Sequence, residues 1–219
     1  MSASWIITLT DVHFTFATGR KVLNGVNLSL GVGEKIALLG ANGAGKSSLL
    51  HCIMGLAPTQ QGDISIFGRA CLTENDFRTI RGRVGLLFQD SDDQLFCPTV
   101  LEDVMFGPLN LGHSRDEARE TALQVLSDLG LGGFGDRITY QLSGGEKRLV
   151  ALATVLAMSP DVLLLDEPTN GLDVDVEKRL IAILQSLPQS MLIISHDRDF
   201  LDQIATRFVR LENGVIVNV

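Results

Sequence analysis

Cysteine, basic charge and long apolar runs are all scarce in this chain. Only three cysteines occur in 219 residues, at Cys52, Cys71 and Cys97. They have no metal-ligand spacing. An odd, scattered set suits free thiols in a reducing cytosol and not a disulfide framework. Lysine and arginine number 18 against 26 aspartates and glutamates, a net charge of −8. Phosphate-backbone binding needs clustered cations, so no nucleic acid is expected as a partner. The longest apolar stretch, around Leu149 to Met158, is interrupted by Thr154. A bilayer-spanning helix needs about 20 apolar residues, so the chain is not expected to cross a membrane alone. Met1 to Asp11 lacks a basic region followed by an apolar core, and no secretory signal is expected there. No tandem repeat or low-complexity linker is visible.

What is present has ordinary globular composition, with 45% hydrophobic residues. The length suits one large domain or a domain with a subdomain. Trp5 to Thr10, Val26 to Leu30, Gly62 to Phe67 and Arg83 to Phe88 read as strands. From about Asp90 to Ser159 the texture turns helical. Ser114-Arg115-Asp116-Glu117 has capping-box spacing, and Ala118, Ala122, Val125, Leu126 and Leu129 then share one helical face that ends at Gly130. A second helix runs from about Gly145 to Met158, stopped by Pro160. Asp161 to Asp166 then reads as a buried parallel strand, and Met191 to Ser195 as another. Between them Asp173 caps a helix bearing Val176, Leu180, Ile183, Leu184 and Leu187. Alternating strands and helices imply an α/β fold with a parallel sheet covered on both faces. The helical middle reads as an insertion into it.

Residues 40 to 47 read Gly40-Ala41-Asn42-Gly43-Ala44-Gly45-Lys46-Ser47, between the apolar strand Ile36 to Leu39 and the helical run Ser47 to Met54. That is a phosphate loop in the strand-to-helix setting it requires. Its glycines let backbone N–H groups converge on an anion, and the helix N-terminus adds partial positive charge. Lys46 is expected to reach the β- and γ-phosphates, and the Ser47 hydroxyl to ligate Mg²⁺. Downstream, Asp166 and Glu167 close an apolar strand, so their carboxylates emerge at the sheet edge where open α/β folds bind ligands. Asp166 can hold Mg²⁺ through its water shell. Glu167 is the natural general base or water positioner for attack on the γ-phosphate.

Leu142-Ser143-Gly144-Gly145-Glu146 offers a second helix N-terminus suited to an anion, with Ser143 as the cap. This run resembles the signature motif of the ATP-binding cassette (ABC) family. The phosphate loop, Gln89, this run, Leu163-Leu164-Leu165-Asp166-Glu167-Pro168, Gly171-Leu172-Asp173 and Ser195-His196-Asp197 follow the family's order. The resemblance covers nearly the whole chain. It implies a single domain over residues 1–219: a RecA-like P-loop NTPase core, an antiparallel β subdomain, and a helical subdomain inserted at about 90–159. It also implies an ATPase with ATP and Mg²⁺ as cofactors. Gly40, Ala41, Asn42, Gly43, Ala44, Gly45, Lys46, Ser47 and Ser48 would hold phosphate. Ser47, Gln89 and Asp166 would hold the metal.

By the same resemblance, Phe16 stacks on adenine; Phe14 is the other candidate, but strand alternation is expected to turn it to the opposite face. Gln89 touches Mg²⁺ and the attacking water and senses a membrane partner. His196 contacts the γ-phosphate, and Asp173 crosses a dimer interface. Ser143, Gly144 and Gly145 face the phosphate loop of a second copy, so a complete site needs two chains. Glu146 stands where glutamine is commonest, and Ala41 where proline is often found. Neither change removes a phosphate donor.

The run Phe88-Gln89-Asp90-Ser91-Asp92-Asp93-Gln94-Leu95-Phe96, with Pro98-Thr99-Val100 and Glu102 to Pro108, looks like the ATPase subunits of energy-coupling factor (ECF) importers of cobalt, nickel or vitamins. That likeness implies a homodimer on the cytoplasmic face of the membrane, bound peripherally to a transmembrane coupling subunit and a substrate-binding membrane subunit. A short helix after Gln89 would line the docking groove, with Asp92 and Asp93 facing a cationic partner segment. The cargo favoured is cobalt or nickel, with a vitamin as the alternative. Many ECF ATPases carry a longer C-terminal dimerisation segment than the one that follows Asn213-Gly214-Val215 here. A non-transport ABC ATPase and a phosphate-loop kinase are the other classes considered; the Ser-Gly-Gly motif and His196 have no role in a kinase.

Overall fold

The computed structural model describes residues 5–219, so Met1–Ser4 of the leader reading lie outside the described residues. The first strand, β1 (Trp5–Thr15), pairs antiparallel with β2 (Lys21–Gly31) and with β4 (Gln61–Ile66), and a two-residue β5 (Arg69–Ala70) closes the sheet in the order β2-β1-β4-β5. Strand β1 runs five residues beyond the alternation read from sequence. The buried set changes phase, from Ile7 and Leu9 to Val12 and Phe14. An irregularity between Leu9 and Val12, with Asp11 at φ +51°, absorbs the change and lets pairing resume.

The second sheet has the order β10-β9-β3-β8-β7-β6. Strands β3 (Lys35–Leu39), β6 (Val84–Leu87), β7 (Val162–Asp166), β8 (Ser190–Ile194) and β9 (Arg207–Glu212) pair in parallel. Strand β10 (Val215–Asn218) turns back on β9 through Asn213 and Gly214, both with positive φ, the geometry of a two-residue hairpin. Neighbouring residues of the parallel strands enter two different cores, because side chains alternate across a sheet. Ile36, Leu38, Leu164 and Leu192 pack toward the antiparallel sheet, α1 (Lys46–Ile53) and α2 (Glu74–Ile80). Leu163, Leu165, Met191 and Ile193 pack on the other face, against helices. Burying each such side chain contributes about 1.5–3 kcal/mol, so the sheet is fixed from both sides.

Strands β6 and β7 are neighbours in space, yet residues 88–161 lie between them in the chain. That span holds α3 (Val100–Asn110), α4 (Arg115–Asp128) and α5 (Gly144–Leu156), which pack on one another. Ala118, Ala122, Leu126 and Leu129 are buried along α4 and just beyond its end, as the periodicity requires. Thr99 and Ser114 each form a complete capping box, with Glu102 and Glu117. Helix α5 also packs on β6, which ties the inserted helices to the sheet edge.

Candidate active site

The loops that carry the sequence-predicted residues leave the C-terminal ends of β3, β6, β7 and β8 and meet in one cleft of about 740 Å³. Phe16, Asn42, Gly43, Gly45, Lys46, Ser47, Ser48, Gln89, Asp166, Glu167 and His196 all line it. The phosphate loop packs closely against its neighbours. Gly45 precedes α1 at φ +107°, and a Cβ there would sit 2.2 Å from the Val22 side chain. Among the described residues no side chain caps α1, and no acidic residue lies in its first turn. Its N-terminal amides are therefore available to an external anion.

Lys46 is only 8% exposed, and its Nζ donates to the Gly40 and Ala41 carbonyls at 2.8 and 3.2 Å. Burial pulls its pKa down, against the opposing charges of Glu167 and Asp166. Asp166 is 6% exposed, and its Oδ1 has no hydrogen-bond partner among the described residues. Buried carboxylates are normally satisfied. Asp166, Ser47 and Gln89 line the same cleft, and a carboxylate, a hydroxyl and an amide oxygen make a donor set that fits a hard cation.

Glu167 adopts φ +47°, uncommon for a residue with a Cβ. Such a backbone costs on the order of 1–3 kcal/mol. It is held by Glu167 N–H donating to Ile194 O at 2.9 Å and by Asn170 N–H donating to Glu167 O at 3.1 Å. The carboxylate is held as well: His196 N–H donates to Oε2 at 3.2 Å, and His196 Nε2 lies 3.3 Å from Oε1.

Arg148 escaped the sequence reading. It is 3% exposed on α5, and its guanidinium donates to Phe88 O at 2.6 Å and Gln89 O at 2.5 Å. Desolvation lowers its pKa, while Asp90, Asp166 and Glu167 oppose that. It ties the helix of the Ser-Gly-Gly motif to the loop that carries Gln89. The available signal was its place in α5 four residues before the buried Leu152, on the core-facing side.

Ser143, Gly144, Gly145 and Asp173 do not line the main cleft. Ser143 and Glu146 form a reciprocal capping box, with Ser143 N–H donating to Glu146 Oε2 at 2.8 Å and Glu146 N–H to Ser143 Oγ at 3.3 Å. Arg137 adds an ion pair to Glu146 at 2.7 Å. The glutamate that departs from the family pattern is thus a helix-cap residue. Asp173 caps α6 (Val174–Ser186), accepting from the N–H groups of Asp175 and Val176.

Two expectations need correction. Phe14 and Phe16 cannot be separated by strand alternation, because residues two apart share a face. What separates them is the end of β1 at Thr15: Phe14 is 7% exposed in the core, and Phe16 lies just past the strand at 43%. Their rings meet edge to face at 5.0 Å. The short helix expected after Gln89 is present as one 3-10 turn, Ser91–Asp93, but Asp92 is not a free acid. It pairs with Lys147 of α5 at 2.5 Å.

This order of loops on this sheet matches known proteins. Residues 23–170 match the family described as ABC transporter. A putative ABC transporter ATP-binding protein of Brucella suis is 55% identical over 91% of this chain and 83% of its own length. The energy-coupling factor transporter ATP-binding protein EcfA of Methanothermobacter thermautotrophicus is 40% identical, over 97% of this chain and 70% of its own. Among solved structures, a dimeric ATP-binding cassette in a post-hydrolysis state, bound to ADP and Pi, superposes with a TM-score of 0.88 at 27% identity. That likeness covers 97% of this chain and 98% of the other. The chain belongs to the ABC transporter family and is its ATP-hydrolysing cassette.

Proposed function

We propose that this cassette energises an importer of the ECF type, with ATP held in the cleft described above and each site completed by a second copy. The observation that carries the site is one juxtaposition. Asp166 with its unpaired oxygen, Lys46 and the His196-braced Glu167 line a single cleft at the strand ends. In this reading Lys46 exchanges its two carbonyls for phosphate oxygens, and the α1 amides receive the rest of the chain. Ser47, Gln89 and Asp166 would hold Mg²⁺, which when bound neutralises charge on the phosphates. Glu167 orients the attacking water and takes up its proton, and His196 fixes the carboxylate's direction. Phe16, exposed at the cleft mouth, stacks on the adenine.

The Ser143 helix end and Asp173 stand outside this cleft, which supports their serving the cleft of a second chain. The partner reading has support of its own. Phe96, Phe106 and Leu111 are exposed and line a mostly apolar groove of about 430 Å³ beside the Gln89 loop. Phe96 and Phe106 stack edge to face at 4.8 Å. A grouped apolar surface of this kind marks an interaction site. No helix among the described residues is long and apolar enough to cross a membrane. In this reading the groove is the dock for the membrane subunit. The cargo favoured is cobalt or nickel, on the sequence resemblance.

The test is a pair of variants. Lys46→Ala loses most ATP binding or turnover. Glu167→Gln still binds ATP, hydrolyses it very slowly and accumulates as a two-chain species on size-exclusion chromatography with Mg·ATP. Near-normal hydrolysis by Lys46→Ala defeats the phosphate assignment. A Glu167→Gln protein that stays monomeric where the wild type dimerises defeats the shared site. Co-purifying the membrane complex with its bound substrate identifies the cargo.

A further inference from the structure

We propose that Arg20 is a further nucleotide-binding residue, a cationic arm that contacts the phosphate chain of ATP from the Phe16 side of the cleft. The proposal rests on the reading of that cleft as the ATP site.

The tip between β1 and β2 is a tight turn. Phe16 N–H donates to Arg20 O at 3.0 Å, and Gly19 N–H donates to Phe16 O at 2.9 Å. Phe16 and Arg20 are therefore fixed to one another, and both line the cleft. From this turn the guanidinium reaches the phosphate loop, where Nη2 donates to Gly43 O at 2.8 Å. A Cβ on Gly43 would lie 3.2 Å from that nitrogen, so the arm rests directly on bare loop backbone.

Charge decides what the arm is for. Three carboxylates line the cleft, on Asp166, Glu167 and Asp197, in a chain of net charge −8. The permanent cations lining it are Lys46 and Arg20. Lys46 is buried beneath the loop, whereas Arg20 is exposed at the mouth. Among the described residues no carboxylate pairs with Arg20, and its other N–H donors make no hydrogen bond. A planar fork with free donors, set beside a phosphate-binding loop, is suited to phosphate oxygens. A brace for the turn needs only the one bond to Gly43.

Titration calorimetry of the full chain with Mg·ATP, Mg·ADP and adenosine separates these roles, using Arg20→Gln and Arg20→Lys. Glutamine keeps a donor for the Gly43 carbonyl and removes the charge. The expected result is about a tenfold loss of ATP affinity in Arg20→Gln, equal to about 1.4 kcal/mol. ADP affinity falls too, adenosine affinity stays within about twofold, and Arg20→Lys recovers most of the loss. An unchanged ATP affinity overturns the proposal. So does an equal loss for adenosine, which would mean that Arg20 acts by positioning Phe16. Lys46→Ala is titrated alongside. If that variant retains both ATP affinity and turnover, the site reading itself fails, a result distinct from failure at Arg20.

Discussion

Replacing Arg148 by methionine isolates one connection in this cassette. The guanidinium satisfies the Phe88 and Gln89 carbonyls at 2.6 and 2.5 Å from a position 3% exposed. Methionine fills much of the volume but donates nothing. A buried carbonyl left without a donor costs about 1–3 kcal/mol. Phe88 is half-buried and Gln89 exposed, so water replaces part of what the two carbonyls lose, and removing a buried charge returns part of its desolvation cost. The net loss is about 1–2 kcal/mol, which lowers Tm by roughly 2–8 °C in a chain of this size. The effect on chemistry is sharper than the effect on folding. Gln89 loses the anchor that fixes it at the end of β6, and a misplacement of about 1 Å can cost on the order of 100-fold in rate. Arg148 does not line the cleft that holds Lys46 and Ser47, so the phosphate loop is left intact. Steady-state kinetics with Mg·ATP should show kcat falling at least about tenfold with KM within about twofold. Arg148→Lys can reach at most one carbonyl well and should fall between. A folded Arg148→Met protein with wild-type kcat would falsify the positioning argument. A rise in KM at constant kcat would place Arg148 in binding instead.

Phe14→Ala should cost about 3–5 kcal/mol of stability, whereas Phe16→Ala should leave thermal unfolding nearly unchanged and weaken ATP binding; the opposite pattern would reverse their assignment. Asp93→Lys should reduce pull-down of the membrane subunit with nucleotide affinity intact, because Asp93 is exposed and, unlike Asp92, is not held by Lys147. Intact assembly with lost nucleotide binding would move this turn into the ATP site. The bond from Arg137, aided by Ser143, holds the Glu146 carboxyl below its ordinary 4.5. A depressed folded value means that this contribution is complete above about pH 4.5 and is lost as pH falls through the lower folded value. Glu146→Gln should thus cost under about 1 kcal/mol at pH 7 for a part-exposed pair, and the difference from wild type should vanish in acid, as read by denaturant melts at pH 7 and pH 3.

Much of this cassette was legible in the sequence because its chemistry sits at chain-local punctuation. Gly40 to Ser47, Asp166-Glu167 and Ser143 to Glu146 each mark the end of a strand or the start of a helix, and a parallel sheet gathers its strand ends at one edge. The continuous apolar runs of β7 and β8 marked strands buried on both faces, and the spacing in α4 marked its core-facing side. Other features depended on neighbours distant in the chain. The second half of β1 was hidden by the irregularity at Asp11, which shifts the alternation by one residue. Arg148 meets Gln89 across 59 positions, and Lys147 meets Asp92 across 55, so no local pattern announces either contact. The bond from Arg20 to Gly43 likewise joins the antiparallel sheet to the phosphate loop. Sequence determined which groups are offered at each strand end, because backbone periodicity and capping are local. Only the tertiary structure decided which are held, paired or left unsatisfied, because burial and long-range hydrogen bonding exist only once the two sheets and the inserted helices have packed.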